Sequence, residues 1–358
     1  MTTLERIKNS SLLPLVAVAL GLVVGALLIL LAGKNPLQAY ASMVEGAFLG
    51  GDEFGRTLEK ATPLVLGGLA VAFAFKAGLF NIGGQGQLLV GAAFAAWVGF
   101  NFSMPTIFHI PIAMIIAGLA SSLIGLLVGA LKAFRGTHEV ITTILLNFVA
   151  ANFTDWLASR DGPWNDPEGG AIARTPLIND SAVIPRIGGL PVGFLFAVAA
   201  AVLCWWLLER STLGFEIKTT GLNPKAARYA GIKTSRIVML TMGFSAFLAG
   251  VGGAIETQGV VGRFEPGFNS GLGFDGITIA LLARTNPIAV VPAAILIGAM
   301  DAGSSLMQSQ ARVAPEIISV IQASILFFIA APSVVSYLIR TRDVDGDVGP
   351  NLSAGWGG

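Results

Sequence analysis

Residues 12–33 read LLPLVAVALGLVVGALLILLAG, 22 consecutive positions without a charged side chain. A hydrocarbon layer about 30 Å thick takes about 20 mainly apolar helical residues to cross, so this stretch is long enough to span it. A secretory leader is the rival reading, because Arg6 and Lys8 precede the stretch and Ala39-Tyr40-Ala41 has the form of a cleavage site. A leader's apolar core runs only about 7 to 15 residues, so the segment is read as a retained span. In lipid every backbone polar group has to be satisfied within the protein. Segments of this length meet that demand as helices.

Comparable stretches recur at 57–75, 86–104, 110–131, 139–159, 190–208, 237–258, 274–285, 288–307 and 317–339, which gives ten. The expected fold is an all-α polytopic membrane protein forming one transmembrane domain over 1–358. Charged residues make only 12% of the 358 residues, against roughly 25% in soluble domains. An ordinary soluble enzyme, a disordered chain and a coiled coil are thereby excluded. The net charge of +1 gives no basic field for nucleic acid. Two histidines and one cysteine, Cys204, leave no zinc site and no intrachain disulfide. His109 and His138 sit at span ends, where a solvated or capping role is expected. No G-x-x-x-x-G-K-[ST] or H-E-x-x-H occurs, so the chain is not expected to be an enzyme or to hold a metal or cofactor.

Threaded from a cytoplasmic N-terminus, fourteen of the 22 Lys and Arg fall inside. The positive-inside rule then favours both termini in the cytoplasm. Two extramembrane segments are long: 160–189 outside, rich in Pro and Gly, and 209–236 inside, which holds six of the inner basic residues. Segment 37–54 is too polar to span and is placed at the outer interface. The tail 343–358 has a disordered composition.

Two short strings repeat. Phe80-Asn81-Ile82-Gly83 follows the second span, and Phe268-Asn269-Ser270-Gly271 follows the seventh. Each opens a new apolar segment, the first at an inner end and the second at an outer end. This relates halves of about 57–160 and 237–339 by inverted topology, an arrangement that places broken helices around a central cavity. Phe274 to Arg284 is about eleven residues, roughly 16 Å of helix, and cannot cross alone. Gly83, Gly84 and Gly86 around Gln85 and Gln87 fit an unwound entry to the third span.

In the fifth span Glu139, Thr143, Asn147, Ala151 and Asp155 recur every four residues and share one helix side. That side faces the bundle interior. Two readings stand: a lining for a polar substrate, or interhelical hydrogen bonding. In the seventh span Thr241, Ser245, Ala249, Gly253 and Thr257 repeat the spacing with small side chains, which reads as close helix packing. Asn81, Gln85, Gln87, Asn269 and Asp275 cluster at the two joints beside Phe80 and Phe268. They either hold and stack a planar hydroxylated solute in the pathway or cap broken helix ends. Gly271, Gly273 and Gly276 form a formal G-x-G-x-x-G, but without the strand-turn-helix setting that gives that pattern its chemistry.

The inner loop contains Gly221-Leu222-Asn223-Pro224-Lys225-Ala226-Ala227-Arg228-Tyr229-Ala230-Gly231-Ile232. Asn223 is a good N-cap, Pro224 suits the first helical position, and Gly231 suits a left-handed C-cap. The predicted helix of about seven residues is too short to stand alone in water and has to dock on something.

With these residues in view the sequence resembles ABC importer permeases of the branched-chain amino acid and simple-sugar type, in the nucleoside and simple-sugar branch. The resemblance runs from about 57 to 335. It rests on Phe80 to Gln87, on His138 to Asn147, on Gly221 to Ile232, and on Phe274-Asp275-Gly276-Ile277 with Asn286-Pro287. The first motif often carries Glu where this chain has Gln85. The resemblance implies half of a translocation pathway, most simply for nucleosides, with sugar or branched-chain amino acid uptake as the alternative and an ion-coupled secondary transporter as the rival. It implies that Gly221, Leu222, Asn223, Pro224, Ala226, Ala227, Arg228, Tyr229 and Gly231 form a coupling helix. That helix would be seated on a cytoplasmic ATPase, which binds the ATP and Mg. Further implied partners are a second homologous permease in a heterodimer and an external solute-binding protein, for which 160–189 offers a docking surface. The implied location is the bacterial plasma membrane.

Overall fold

The computed structural model describes residues 3–331 and 334, except 171, 269 and 270, with side chains from residue 13. Each of the ten apolar segments carries a helix among the described residues: α1 (Thr3–Leu31), α3 (Glu53–Lys76), α4 (Gly84–Asn101), α5 (Thr106–Arg135), α6 (Glu139–Ala158), α7 (Val192–Arg210), α10 (Thr234–Glu256), α11 (Leu272–Leu282), α12 (Pro287–Ala311) and α13 (Glu316–Ala330); 332, 333 and 335–339 of the tenth segment lie outside them. Short helices α2 (Pro36–Phe48), α8 (Thr212–Leu222) and α9 (Pro224–Tyr229) and a two-residue hairpin, β1 (Arg186–Ile187) with β2 (Leu190–Pro191), complete the order. Among the described residues, seven helices are long and apolar enough to cross a membrane; α11 and α13 are shorter apolar helices, and α4 carries Gln85 and Gln87 in its first turn. The fold is therefore all-α and polytopic. The 343–358 tail lies outside the described residues.

α3 is the hub. Ala61 through Phe75 are all buried, enclosed by α7, α10, α11 and α12. α10 packs on α3, α4 and α5, and its small-residue row is what allows the approach. A Cβ on Gly253 would lie 2.1 Å from the Leu88 carbonyl oxygen of α4, and one on Gly91 would lie 2.1 Å from that of Gly250. Ser245 and Thr257 of the same row donate to the Ala70 and Ala92 carbonyls. Because lipid is as apolar as the helices, such close contacts and hydrogen bonds rather than water exclusion hold the bundle together.

The structure adds to two expectations. Segment 37–54 does not simply rest at an interface: it contains α2, whose Ala39, Ser42, Met43, Gly46 and Ala47 are buried on a stripe of helical period. That stripe packs on α12, where Gly303 meets the Met43 backbone and Ser42 donates to Gln310. Nor is His109 solvated. It is fully buried in the first turn of α5, with Nδ1 2.9 Å from Ser181 Oγ and Nε2 3.2 Å from the Val98 carbonyl oxygen. It ties the outer loop to α4 and α5.

The 160–189 loop is laced down along 175–184. Amides of Thr175, Ile178 and Ile184 donate to the carbonyls of Phe264, Gly262 and Gln258, and that of Asn179 donates to Gly99. The receiving stretch begins with a π-helical turn, Thr257–Val261, that ends α10; such turns are commonly found at functional sites. The hairpin is fastened to α3 by Arg186, which bonds Asp52 at 2.7 Å and also Glu59. The Glu59 hydrogen bond, with Asp52 beside it, raises the Arg186 pKa further above its ordinary value, so this fastening keeps its charge at physiological pH.

Candidate functional site

After Lys76 the chain leaves α3, turns at Gly78 (φ +69°) and runs back without regular structure through Phe80-Asn81-Ile82 to the start of α4. The break frees backbone groups in a buried place, and nearby side chains take them up. Asn81 Oδ1 accepts from the Gly83 amide at 3.0 Å, while its Nδ2 donates to Gln87 Oε1 and Ser245 Oγ, both at 2.8 Å. Asn147 of α6 accepts from the Gly86 amide at 2.8 Å and donates to the Ile82 carbonyl at 2.9 Å. Ser121 of α5 donates to the Gln87 carbonyl at 2.7 Å. Buried polar groups are costly unless paired, and this network pairs those of the break through four helices.

The second joint arrives at the same place. The Gly273 amide of α11 donates to Gln85 Oε1 at 2.8 Å, so the first turns of α4 and α11 touch. A Cβ on Gly273 would come within 2.4 Å of the Gln85 backbone, and one on Gly276 within 2.7 Å of Gly67 on α3. Gly273 and Gly276 serve backbone contact and Gly271 takes φ +103°, which accounts for the G-x-G-x-x-G without any nucleotide.

Of the pathway candidates, Asn81, Gln85, Gln87, Thr143 and Asn147 are thus brought together and buried. Thr143 returns its hydroxyl to the Glu139 and Val140 carbonyls, its side chain standing over Gly83. Asp275 is half-buried in the first turn of α11. Phe80 and Phe268 fall in different apolar clusters: Phe80 rests on Phe75 at 4.8 Å, and Phe268 stacks on Phe264 at 5.6 Å. Asn269 lies outside the described residues. Glu139, buried beside Phe80, pairs with Lys132 at 2.6 Å. Ser121 and Ser245 were not singled out as joint residues; isolated hydroxyls on helices carry no signal of the partner they will meet.

At the end of the bundle where α3 and α7 finish, the 211–233 segment forms a ledge. Gly221 sits against the Lys76 carbonyl and the Gly78 backbone, anchoring α8. Asn223 caps α9 by accepting from the Lys225 and Ala226 amides, both at 3.0 Å, and Gly231 takes φ +84° beyond it. Ala227 is buried, whereas Leu222 and Tyr229 are 77% and 94% exposed. A six-residue helix thus stands proud of the bundle with Tyr229 uncovered at its end and Leu222, the last residue of α8, uncovered just before it.

The model of the family described as branched-chain amino acid transport system / permease component matches residues 54–330. The chain is 38% identical to the guanosine ABC transporter permease protein NupP of Bacillus subtilis, covering 92% of this chain and 94% of that one. It is 34% identical to the nucleoside ABC transporter permease protein NupB of Lactococcus lactis, over 92% and 93%. It is 32% identical to the glucose ABC transporter permease protein of Haloferax volcanii, over 88% and 86%.

Proposed function

The chain belongs to the family of branched-chain amino acid transport system permease components, and on that premise we propose that it is a permease subunit of an ATP-driven importer of nucleosides. The observation that carries the substrate class is end-to-end similarity at 34–38% identity to permeases named for guanosine and nucleosides; the similarity to a glucose permease is lower. The chain forms half of a translocation pathway, the other half being a second homologous permease. An external binding protein delivers the solute to the 160–189 side. ATP hydrolysis takes place in a cytoplasmic partner.

The joint and the ledge supply the moving parts. Ten helical segments, with both termini inside, form two halves of inverted topology; the contact of α4 and α11 by their first turns supports that relation. Phe80, Asn81, Gln85, Gln87, Thr143, Asn147, Phe268, Asn269 and Asp275 are assigned to the pathway and its frame. Residues 221–231 seat on the ATPase. Since Gly221 lies against the end of α3, a push on α9 passes through α8 to the hub helix and the joint just after it. Such a two-state rearrangement of packed helices is how a local docking change becomes an access switch.

The test is uptake in cells lacking their own nucleoside importers. Guanosine uptake requiring a P-loop partner, and surviving an ionophore, is the expected result. Uptake that collapses with the ionophore and persists without an ATPase refutes the ATP-driven reading. Preference for glucose or leucine over guanosine refutes the substrate class.

A further inference from the structure

Between the ends of α3, α7 and α12, at the same end of the bundle as α9, lies an open cleft of about 400 Å³. It is lined by Lys76, Trp205, Glu209, Arg210, Asn286 and Pro287. Lys76 is within electrostatic range of Glu209 and Lys218, and Glu209 is already engaged by Lys218 Nζ at 2.9 Å. Three cations therefore stand against one paired carboxylate. The Arg210 guanidinium lies 5.9 Å from the centre of the Trp205 ring, which holds a cation at the rim. The first turn of the 25-residue α12, capped by Asn286, opens on the same space, adding the positive end of its dipole.

The flank leading to this cleft is apolar and uncovered. On α7, Val202, Leu203 and Trp206 are 49%, 50% and 53% exposed, and Ile288 at the start of α12 is 44% exposed. In a helix that crosses lipid, such a face meets acyl chains, and tryptophan near its end marks the headgroup level. An anionic group over an apolar tail matches both halves of this surface. Basic pockets between spans on the cytoplasmic side suit phosphate headgroups.

We propose that this cleft binds the phosphodiester headgroup of an anionic membrane phospholipid, with the acyl chains lying along α7. The placement in the inner leaflet rests on the orientation adopted above; the lipid binding does not require the nucleoside or ATPase assignment. Lys76 and Arg210 contact the phosphate, and Trp205 holds Arg210 in position.

The test uses the full-length chain, stripped of lipid in detergent and titrated with phosphatidylglycerol or phosphatidylcholine, with bound lipid counted by native mass spectrometry. Phosphatidylglycerol is expected to be retained in preference to phosphatidylcholine. Lys76→Gln and Arg210→Gln should each weaken it about fivefold, the effect of one basic side chain at a lipid surface. Lys233→Gln, in the same loop region but outside the cleft, should leave it unchanged. Arg210 is exposed, so its substitution spares the fold and keeps the result readable. Equal retention of the two lipids, or full retention by Arg210→Gln, overturns the proposal. Competition by inorganic phosphate as effective as by phosphatidylglycerol would assign the cleft to a free anion instead. Unchanged lipid binding with loss of a co-purifying ATPase would assign it to protein docking.

Discussion

Replacing Gly253 by Ala tests whether backbone contact between α4 and α10 holds this bundle. The added methyl would lie 2.1 Å from the Leu88 carbonyl oxygen and 2.8 Å from the Ala92 amide nitrogen. Both are helix backbone, so no rotamer change relieves the overlap, and α10 has to retreat by about 1 Å to restore an ordinary contact. Overpacking of this kind costs about 1 to 3 kcal/mol. The control is Gly67→Ala in the middle of α3, where the nearest atom to the new methyl is Gly276 Cα at 3.6 Å. Both substitutions gain the same helix propensity, about 1 kcal/mol, so their difference isolates the steric effect. Thermal unfolding followed by size-exclusion elution in detergent should place Gly253→Ala below Gly67→Ala by on the order of 5 °C. Gly91→Ala meets Gly250 in the same interface, so the Gly91/Gly253 double variant should lose less than the sum of the singles. A Gly253→Ala protein that melts with or above Gly67→Ala would refute the argument that this contact is limiting.

Other outcomes follow from the same structure. Asn147→Ala leaves the Gly86 amide and Ile82 carbonyl unpaired in a buried place; about 2 kcal/mol or more of stability should be lost, read as a lower melting temperature together with lower uptake. Lys132→Gln removes the 2.6 Å partner of the buried Glu139 carboxylate, which keeps the Phe80 amide and His138 beside it, and should destabilise by about 1 to 2 kcal/mol, with Glu139→Gln in the same chain restoring most of the melting temperature. Tyr229→Ala or Gly231→Val should uncouple uptake from ATP hydrolysis while leaving melting of the isolated permease unchanged for Tyr229, whose side chain touches little within the chain. Arg186→Gln frees the hairpin and should speed proteolytic cutting at 186–191 without altering the melting temperature by more than about 1 kcal/mol equivalent.

The parts of this architecture that were legible were those encoded by local chemistry. Uncharged runs gave the helices, and Asn223-Pro224 with Gly231 gave both ends of α9; the unwound stretch before α4 falls at 77–83, so Gly84 and Gly86, expected in an unwound entry, belong to the first turn of the helix. The eleven-residue length of α11 was readable, with its start two residues earlier than the segment suggested. The burial of α2 was obscured because Glu45 and Gln38 made the average polar, although its small residues follow a helical stripe. Of the two readings of His109, the solvated one fails for a related reason: its partners, Ser181 and Val98, lie far from it in sequence in one case and on another helix in the other. Whether the amides of the joint faced solute or backbone depended on where Ser245, Asn147 and Gly273 would arrive, and only packing determines that.

The seat of α11 on α4 has a mechanical meaning of its own. Helices locked by interdigitated side chains have to withdraw each knob from its hole before they part. Gly273 on the Gln85 backbone, and Gly276 on Gly67, present no knobs. The Gly273 amide's bond to Gln85 is worth a net of about 1 kcal/mol, and a contact of backbone on backbone lets α11 pivot at these two glycines without withdrawing a side chain there. The joint is tight enough to be definite and toothless enough to move.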